Sequence, residues 1–195
     1  LQSVDLPETM ESVGYYAFQY CSGLTNVKLR SETVTIGTYA FGDCTGITTA
    51  GPLYGGYDFE FSWTGKLPGT LFTGNTSLTS FTAKQLSEIG DYAFSGCSKL
   101  TALTIPDTVS TIGMGAFQSC SALTELTLPK ALRSIDNSAF SNCRGLTALV
   151  LPEGLASIGT RAFQNCSGMS EITLKSDMPT IGQNAFQSVS ATVYY

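Results

Sequence analysis

The residues in this 195-residue chain that could do chemistry are few, and their spacing is regular. Six cysteines, Cys21, Cys44, Cys97, Cys120, Cys143 and Cys166, each stand three residues after a phenylalanine. An even count suits a disulfide framework in a secreted protein, with Cys21–Cys44, Cys97–Cys120 and Cys143–Cys166 as the neighbouring pairs. The other reading is a buried column of free thiols acting as small apolar groups. Asn75 and Val189 occupy the same slot in two further copies, which separates Cys44 from Cys97 and favours the column. Zinc ligands come as C-x₂₋₄-C, whereas these recur a full repeat apart, so no metal and no cofactor is expected. Asp58 and Glu60 are the one close carboxylate pair outside the regular pattern. Two apart on a strand, they would project to one side at about 6–7 Å, which overlaps the carboxyl separation of inverting glycosidases. The plainer reading is two solvated acids on the outside of an excursion. Ser and Thr make up 47 residues, but there is no histidine to activate them. The glycines are spread one per turn and form no phosphate-binding loop. No catalytic residue is expected, and the chain does not read as an enzyme.

Fifteen acidic against ten basic residues give a net charge of −5. That balance argues against a nucleic-acid partner, which wants a basic face. Only 13% of residues are charged, about half the usual ~25%, while 43% are hydrophobic, too many for disorder. No apolar run approaches the ~20 residues that cross a bilayer, so membrane insertion is not expected. Residues 1–7 show no basic stretch followed by an apolar block.

The elements that hold these residues come from a repeat. A phenylalanine recurs at Phe18, Phe41, Phe72, Phe94, Phe117, Phe140, Phe163 and Phe186. The period is 23 residues, with eight extra before Phe72. In Leu100–Ala122, Leu100, Leu103 and Ile105 have the L-x-x-L-x-L spacing of a short strand. Pro106 then ends its ladder, as do Pro7, Pro129 and Pro152 in their copies. A second apolar pair follows, Val109 and Ile112. Next comes glycine, at Gly37, Gly90, Gly113, Gly159 and Gly182, with Asp136 in one copy, read as a turn residue at positive φ. One unit is too small to bury its own apolar side, so the copies must stack.

The unit L-T-x-L-T-L-P-x-x-V-x-x-I-G-x-x-A-F-x-x-C-x-x resembles the BspA-like leucine-rich repeat of bacterial and protozoan cell-surface proteins. The match is close over residues 78–188 and drifts over 1–46, for instance at Arg30 and Thr33. The resemblance implies a repeat solenoid. Its fold would be a right-handed leucine-rich-repeat coil of eight repeats with one short parallel strand each, mostly β and turn with short irregular or 3-10 segments. Residues 1–195 then form a single solenoid with an insertion at about 53–67, a piece of a longer multidomain surface protein. The resemblance also implies extracellular or cell-surface location and adhesion to an extracellular protein or glycan. The alternative is a structural spacer with no specific ligand.

Two surfaces compete as the binding site. One is the strand face, with Asn26, Lys28, Thr82, Thr104, Glu125, Thr127, Glu171 and Thr173 among its outward residues and a Thr/Ser column beside it that packs and hydrogen-bonds between coils. The other is the insertion, where Tyr57, Phe59, Phe61 and Trp63 alternate with Asp58, Glu60 and Ser62. An extended segment would then show one aromatic and one polar side. The rings either pack down as a miniature core or form a platform for a sugar or peptide. Sequons at Asn75 and Asn165 sit beside the inward slot, against glycosylation. Thr192–Tyr195 resembles the start of a ninth strand. Neither end carries a polar cap, so flanking modules or end-to-end self-association are expected to cover them.

Overall fold

Three short apolar clusters per repeat make a three-sided coil, and stacking the coils turns each cluster into a column. In the computed structural model, which describes residues 1–175 and 177–194, the chain is a parallel β-solenoid of about eight coils. There is no helix among the described residues. The strands in chain order are β1 Ser3–Leu6, β2 Ser12–Val13, β3 Asn26–Leu29, β4 Thr35–Ile36, β5 Thr49–Pro52, β6 Phe59–Phe61, β7 Lys66–Leu67, β8 Ser80–Thr82 and β9 Glu88–Ile89. They continue as β10 Ala102–Thr104, β11 Thr111–Ile112, β12 Ser134–Ile135, β13 Ala148–Leu151, β14 Ser157–Ile158, β15 Glu171–Leu174, β16 Thr180–Ile181 and β17 Thr192–Tyr194. The ninth strand expected at 192–195 is thus present over the described residues; Tyr195 lies outside them. Coils are numbered here by their phenylalanine, from Phe18 in coil 1 to Phe186 in coil 8.

On the first side the leucine-type residues point inward and the strands pair in parallel with matching register, Val4 against Val27 and Leu149 against Ile172. Hydroxyls of Thr79, Thr101, Thr147 and Ser170 each donate to the carbonyl one coil back, at 3.0–3.3 Å. On the third side the phenylalanines stack. From Phe94 to Phe186 the ring centroids are 5.0, 5.1, 5.1 and 5.3 Å apart and within 6° of parallel. The residues two before and two after each phenylalanine have positive φ, for example Tyr92 (56°) and Gly96 (78°), or Ser138 (56°) and Asn142 (63°). This aims successive N–H groups along the coil axis. Phe94 and Phe117 donate to Ala116 and Ala139 of the next coil at 2.7 Å.

The glycine after the second apolar pair has a different reason from the one its position suggested. None of Gly37, Gly90, Gly113, Gly159 and Gly182 has positive φ. Instead, a β-carbon at Gly37, Gly90, Gly159 or Gly182 would lie 2.4–2.5 Å from backbone atoms of the preceding coil. The column is glycine because two backbones touch there. Two coils break the rule, with Pro68 in coil 3 and Asp136 in coil 6. At Pro68 the second-side ladder is interrupted, and β2 and β4 form a sheet separate from the one that starts at β7. At Asp136 it continues, with Ile112 opposite Ile135 and the Asp136 N–H donating to Ile112 at 2.9 Å. On the first side, the sheet stops at β10 in coil 5 and a separate one starts at β13 in coil 7, so residues 125–128 of coil 6 belong to neither.

The insertion enters the first-side sheet at the junction of coils 2 and 3. β6 lies between β3 and β5 and is parallel to both, with Phe59 opposite Val27 and Ala50. Phe59 wedges into the ring column, edge-on to Phe41 at 5.0 Å and to Phe72 at 4.9 Å. Two buried side-chain atoms near it, Trp63 Nε1 and Asn75 Oδ1, make no hydrogen bond, a local cost of fitting an extra strand into the stack.

Candidate functional site

The insertion's alternation does produce a strand, but its aromatic side faces inward. Phe59, Phe61 and Trp63 are 0%, 3% and 7% exposed, so an exposed platform of these rings is ruled out. Because β6 is paired on both edges inside the sheet, its inward side chains enter the common core. Tyr57 breaks the alternation and lies outside, its ring where a side chain on Gly51 would be. The two acids are not simply solvated; both are engaged in hydrogen bonds within the chain. Asp58 accepts from the Thr48 backbone at 2.7 Å, the Thr48 hydroxyl at 2.5 Å and the Thr49 backbone at 3.2 Å. Glu60 is 3% exposed and accepts from the backbones of Tyr54, Gly56 and Tyr57 at 3.2, 2.7 and 3.3 Å. Lys28 stands 3.9 Å from it. All these contacts pin the 53–57 loop over the outward face. Tyr54 at its tip receives a hydrogen bond from Arg30 at 3.0 Å, and Arg30 also clasps Asp5 through two bonds of 2.7 and 2.8 Å. That fork holds the Asp5 carboxyl below its usual range and raises the guanidinium.

The cysteines are free. Each thiol from coil 4 to coil 7 donates to the phenylalanine carbonyl one coil back, at 3.1–3.2 Å, and Cys44 does the same to Phe18 at 3.0 Å. Asn75 substitutes chemically as well as sterically, its amide reaching the Phe41 carbonyl at 3.3 Å. Burial pushes the thiols of Cys44 and Cys166 up to about 12, so they are neutral and unreactive near neutral pH.

Of the two surfaces, the strand face is the one that keeps exposed candidate residues. Of its expected residues, Asn26, Thr104, Glu125, Thr127 and Glu171 are exposed, and Lys28, Thr82 and Thr173 half-buried. They do not converge. Asn26 and Lys28 lie on one side of the 53–57 loop, Thr82 and Thr104 on the other, and Glu125 and Thr127 on the coil whose ladder is missing. There the face opens into a groove of about 730 Å³ lined by Leu126, Thr127, Leu128, Val150 and Pro152 together with the charged Asp107, Lys130, Glu153 and Lys175. The volume falls within the ~300–1,000 Å³ typical of ligand sites. Lys130 pairs with Asp107 at 2.6 Å. Among the described residues, no backbone hydrogen bond joins Glu125–Leu128 to either neighbouring coil. Leu103 and Ile105 on the adjoining strand side are half-buried, whereas their counterparts Leu149 and Leu151 are 1% and 3% exposed. Sequence reasoning named Thr127 but missed the groove. The local pattern at 123–129, LTELTLP, keeps the spacing of the paired coils.

A second surface was also missed. Tyr15, Tyr16 and Tyr20 are exposed on the third side of coil 1, and Tyr16 stacks on Tyr39 at 5.8 Å.

The sequence profile of the BspA type leucine-rich repeat region matches in six copies, over residues 1–51 and 66–192, leaving out the insertion. Among curated proteins none matches the chain. A leucine-rich cell surface protein of Faecalibacterium prausnitzii is similar in structure, with a TM-score of 0.73 and 26% identity over 91% of this chain and 48% of that one. The pneumococcal vaccine antigen PcpA has the same fold at a TM-score of 0.59 and 18% identity, covering 98% of this chain and 57% of its own. A leucine-rich repeat protein of Eubacterium ventriosum gives 0.57 and 22%, over 73% and 43%. The chain thus spans about half the length of these proteins.

Proposed function

The chain belongs to the BspA-type leucine-rich repeat family, and from that premise we propose that it is a non-enzymatic recognition module. It acts at a cell surface or as a secreted protein, and its strand face binds an extracellular protein or glycan. The observation that carries this reading is the groove over coil 6, where the polar strip gives way to a recess lined by apolar side chains and by charges of both signs. Surface location is supported by the cell-surface relative from Faecalibacterium prausnitzii. The absence of histidine and the structural engagement of Asp58 and Glu60 support a non-catalytic role.

The test is binding of the intact chain to a panel of purified extracellular proteins and glycans, with Val150→Glu as the control. Val150 is 41% exposed at the groove rim, so the substitution leaves the core intact and places a charge at the mouth. Saturable binding that Val150→Glu abolishes is the expected result. A second reading, a structural spacer, is favoured by the unbroken parallel stack from Phe94 to Phe186. It would be supported by a panel on which nothing binds saturably.

A further inference from the structure

We infer that the groove over coil 6 docks an extended peptide segment of a partner protein, which lies along Glu125–Leu128 and supplies the main-chain hydrogen bonds that this coil lacks. The inference rests on the recognition reading above and narrows its ligand to one class.

Three observations lead to a peptide. First, residues 125–128 keep the spacing of a strand but have no backbone partner on either side among the described residues. Main-chain groups at the floor of a recess need acceptors and donors. A second peptide main chain offers both, alternating at the strand rise of about 3.3 Å; an acyl chain offers neither, and the hydroxyls of a sugar do not follow that spacing.

Second, the same face of this molecule already accepts an added strand. β6 enters between β3 and β5, in register with both, at the junction of coils 2 and 3. That junction has its extra strand built into the chain. Along Glu125–Leu128 the same face has no strand paired on either side.

Third, the lining carries both signs, with Asp107 beside Lys130 and, in the following coils, Glu153 and Lys175. A single-sign polymer would be repelled by one member of each pair. A peptide with apolar residues facing Leu126 and Val150 and polar residues facing these charges matches the lining.

The test pans a library of short linear peptides displayed on phage against the intact chain, then follows an enriched peptide by fluorescence polarisation and amide hydrogen exchange. The expected peptides have apolar residues at alternate positions and slow exchange within residues 124–129. Thr127→Pro is the informative variant. Its N–H has no partner in the free chain, so the thermal midpoint should hold. Losing one donor to the peptide should weaken binding about tenfold. The inference is overturned if no peptide is enriched, if the enriched peptides protect another segment, or if Thr127→Pro binds like the parent. Saturable binding of an intact protein or glycan, sensitive to Val150→Glu but with no linear peptide enriched, would sink the peptide inference and leave the recognition reading standing. If neither binds, both fall.

Discussion

Gly159→Ala separates two reasons for a glycine that look alike in sequence. If the slot needed positive φ, alanine would cost about 1–2 kcal/mol wherever it was placed in the column. The structure gives a different origin. A β-carbon on Gly159 would lie 2.5 Å from the Asn137 nitrogen and 2.6 Å from the Asp136 carbonyl carbon, where ordinary contact begins at 3.4 Å. The shortfall is about 0.9 Å against backbone, so coils 6 and 7 must part. Overpacking of that kind costs about 1–3 kcal/mol, and in a domain of this size each kcal/mol lowers the thermal midpoint by ~2–4 °C. The expected fall is therefore roughly 2–12 °C. It should come with faster exchange of the Gly159 amide, which now donates to Ile135 at 2.7 Å. Gly14 is the control. It occupies the same slot in coil 1, has nothing within 4 Å and has no positive φ. Gly14→Ala should be neutral, or stabilise by about 0.4–1 kcal/mol through the unfolded state. Equal losses at both positions, read by thermal denaturation, would refute the close-approach account.

Phe117→Ala removes a fully buried ring stacked on both sides. It should cost about 3–5 kcal/mol, and Phe186→Ala, half-buried with one stacked neighbour, clearly less; denaturant titration reads both. Glu60→Ala leaves three loop N–H groups without their acceptor. It should cost about 1–3 kcal/mol and raise proteolytic cleavage at Tyr54–Tyr57, whereas a loop that stays resistant would count against its anchoring role. The buried thiols make the fold sensitive to alkali. Burial raises Cys44 and Cys166 from 9.0 to about 12, so the folded state holds protons that the unfolded state releases. Their contribution is complete below pH 9 and is lost as pH rises toward 12. Cys44→Ala with Cys166→Ala should flatten that alkaline slope in unfolding measurements.

The columns were legible because their information is periodic. Phenylalanine, leucine and cysteine recur every 23 residues, and a repeat that cannot bury itself has one way to stack. The free thiols followed from the same logic, since Asn75 interrupts the cysteine series without stranding a partner. What sequence could not supply was contact between coils. The glycine column was visible, but its cause lies 23 residues away in a neighbouring backbone. Period-two alternation marked Phe59–Phe61 as a strand without telling that its partners would be β3 and β5, and so whether its rings met solvent or core. Glu60 looked solvated because the loop that buries it is set by its own hydrogen bonds. The groove left no trace in the coil that forms it, whose leucines are regular.

The central claim is that coil 6 presents an unpaired strand segment at the floor of a binding groove. Amide hydrogen exchange of the native chain tests it most directly, by comparing residues 125–128 with their paired counterparts 148–151. The account predicts that 125–128 exchange at loop-like rates while 148–151 stay protected. Equal protection of the two segments in the parent chain would mean that the ladder is continuous, and the site proposed on its interruption would be contradicted.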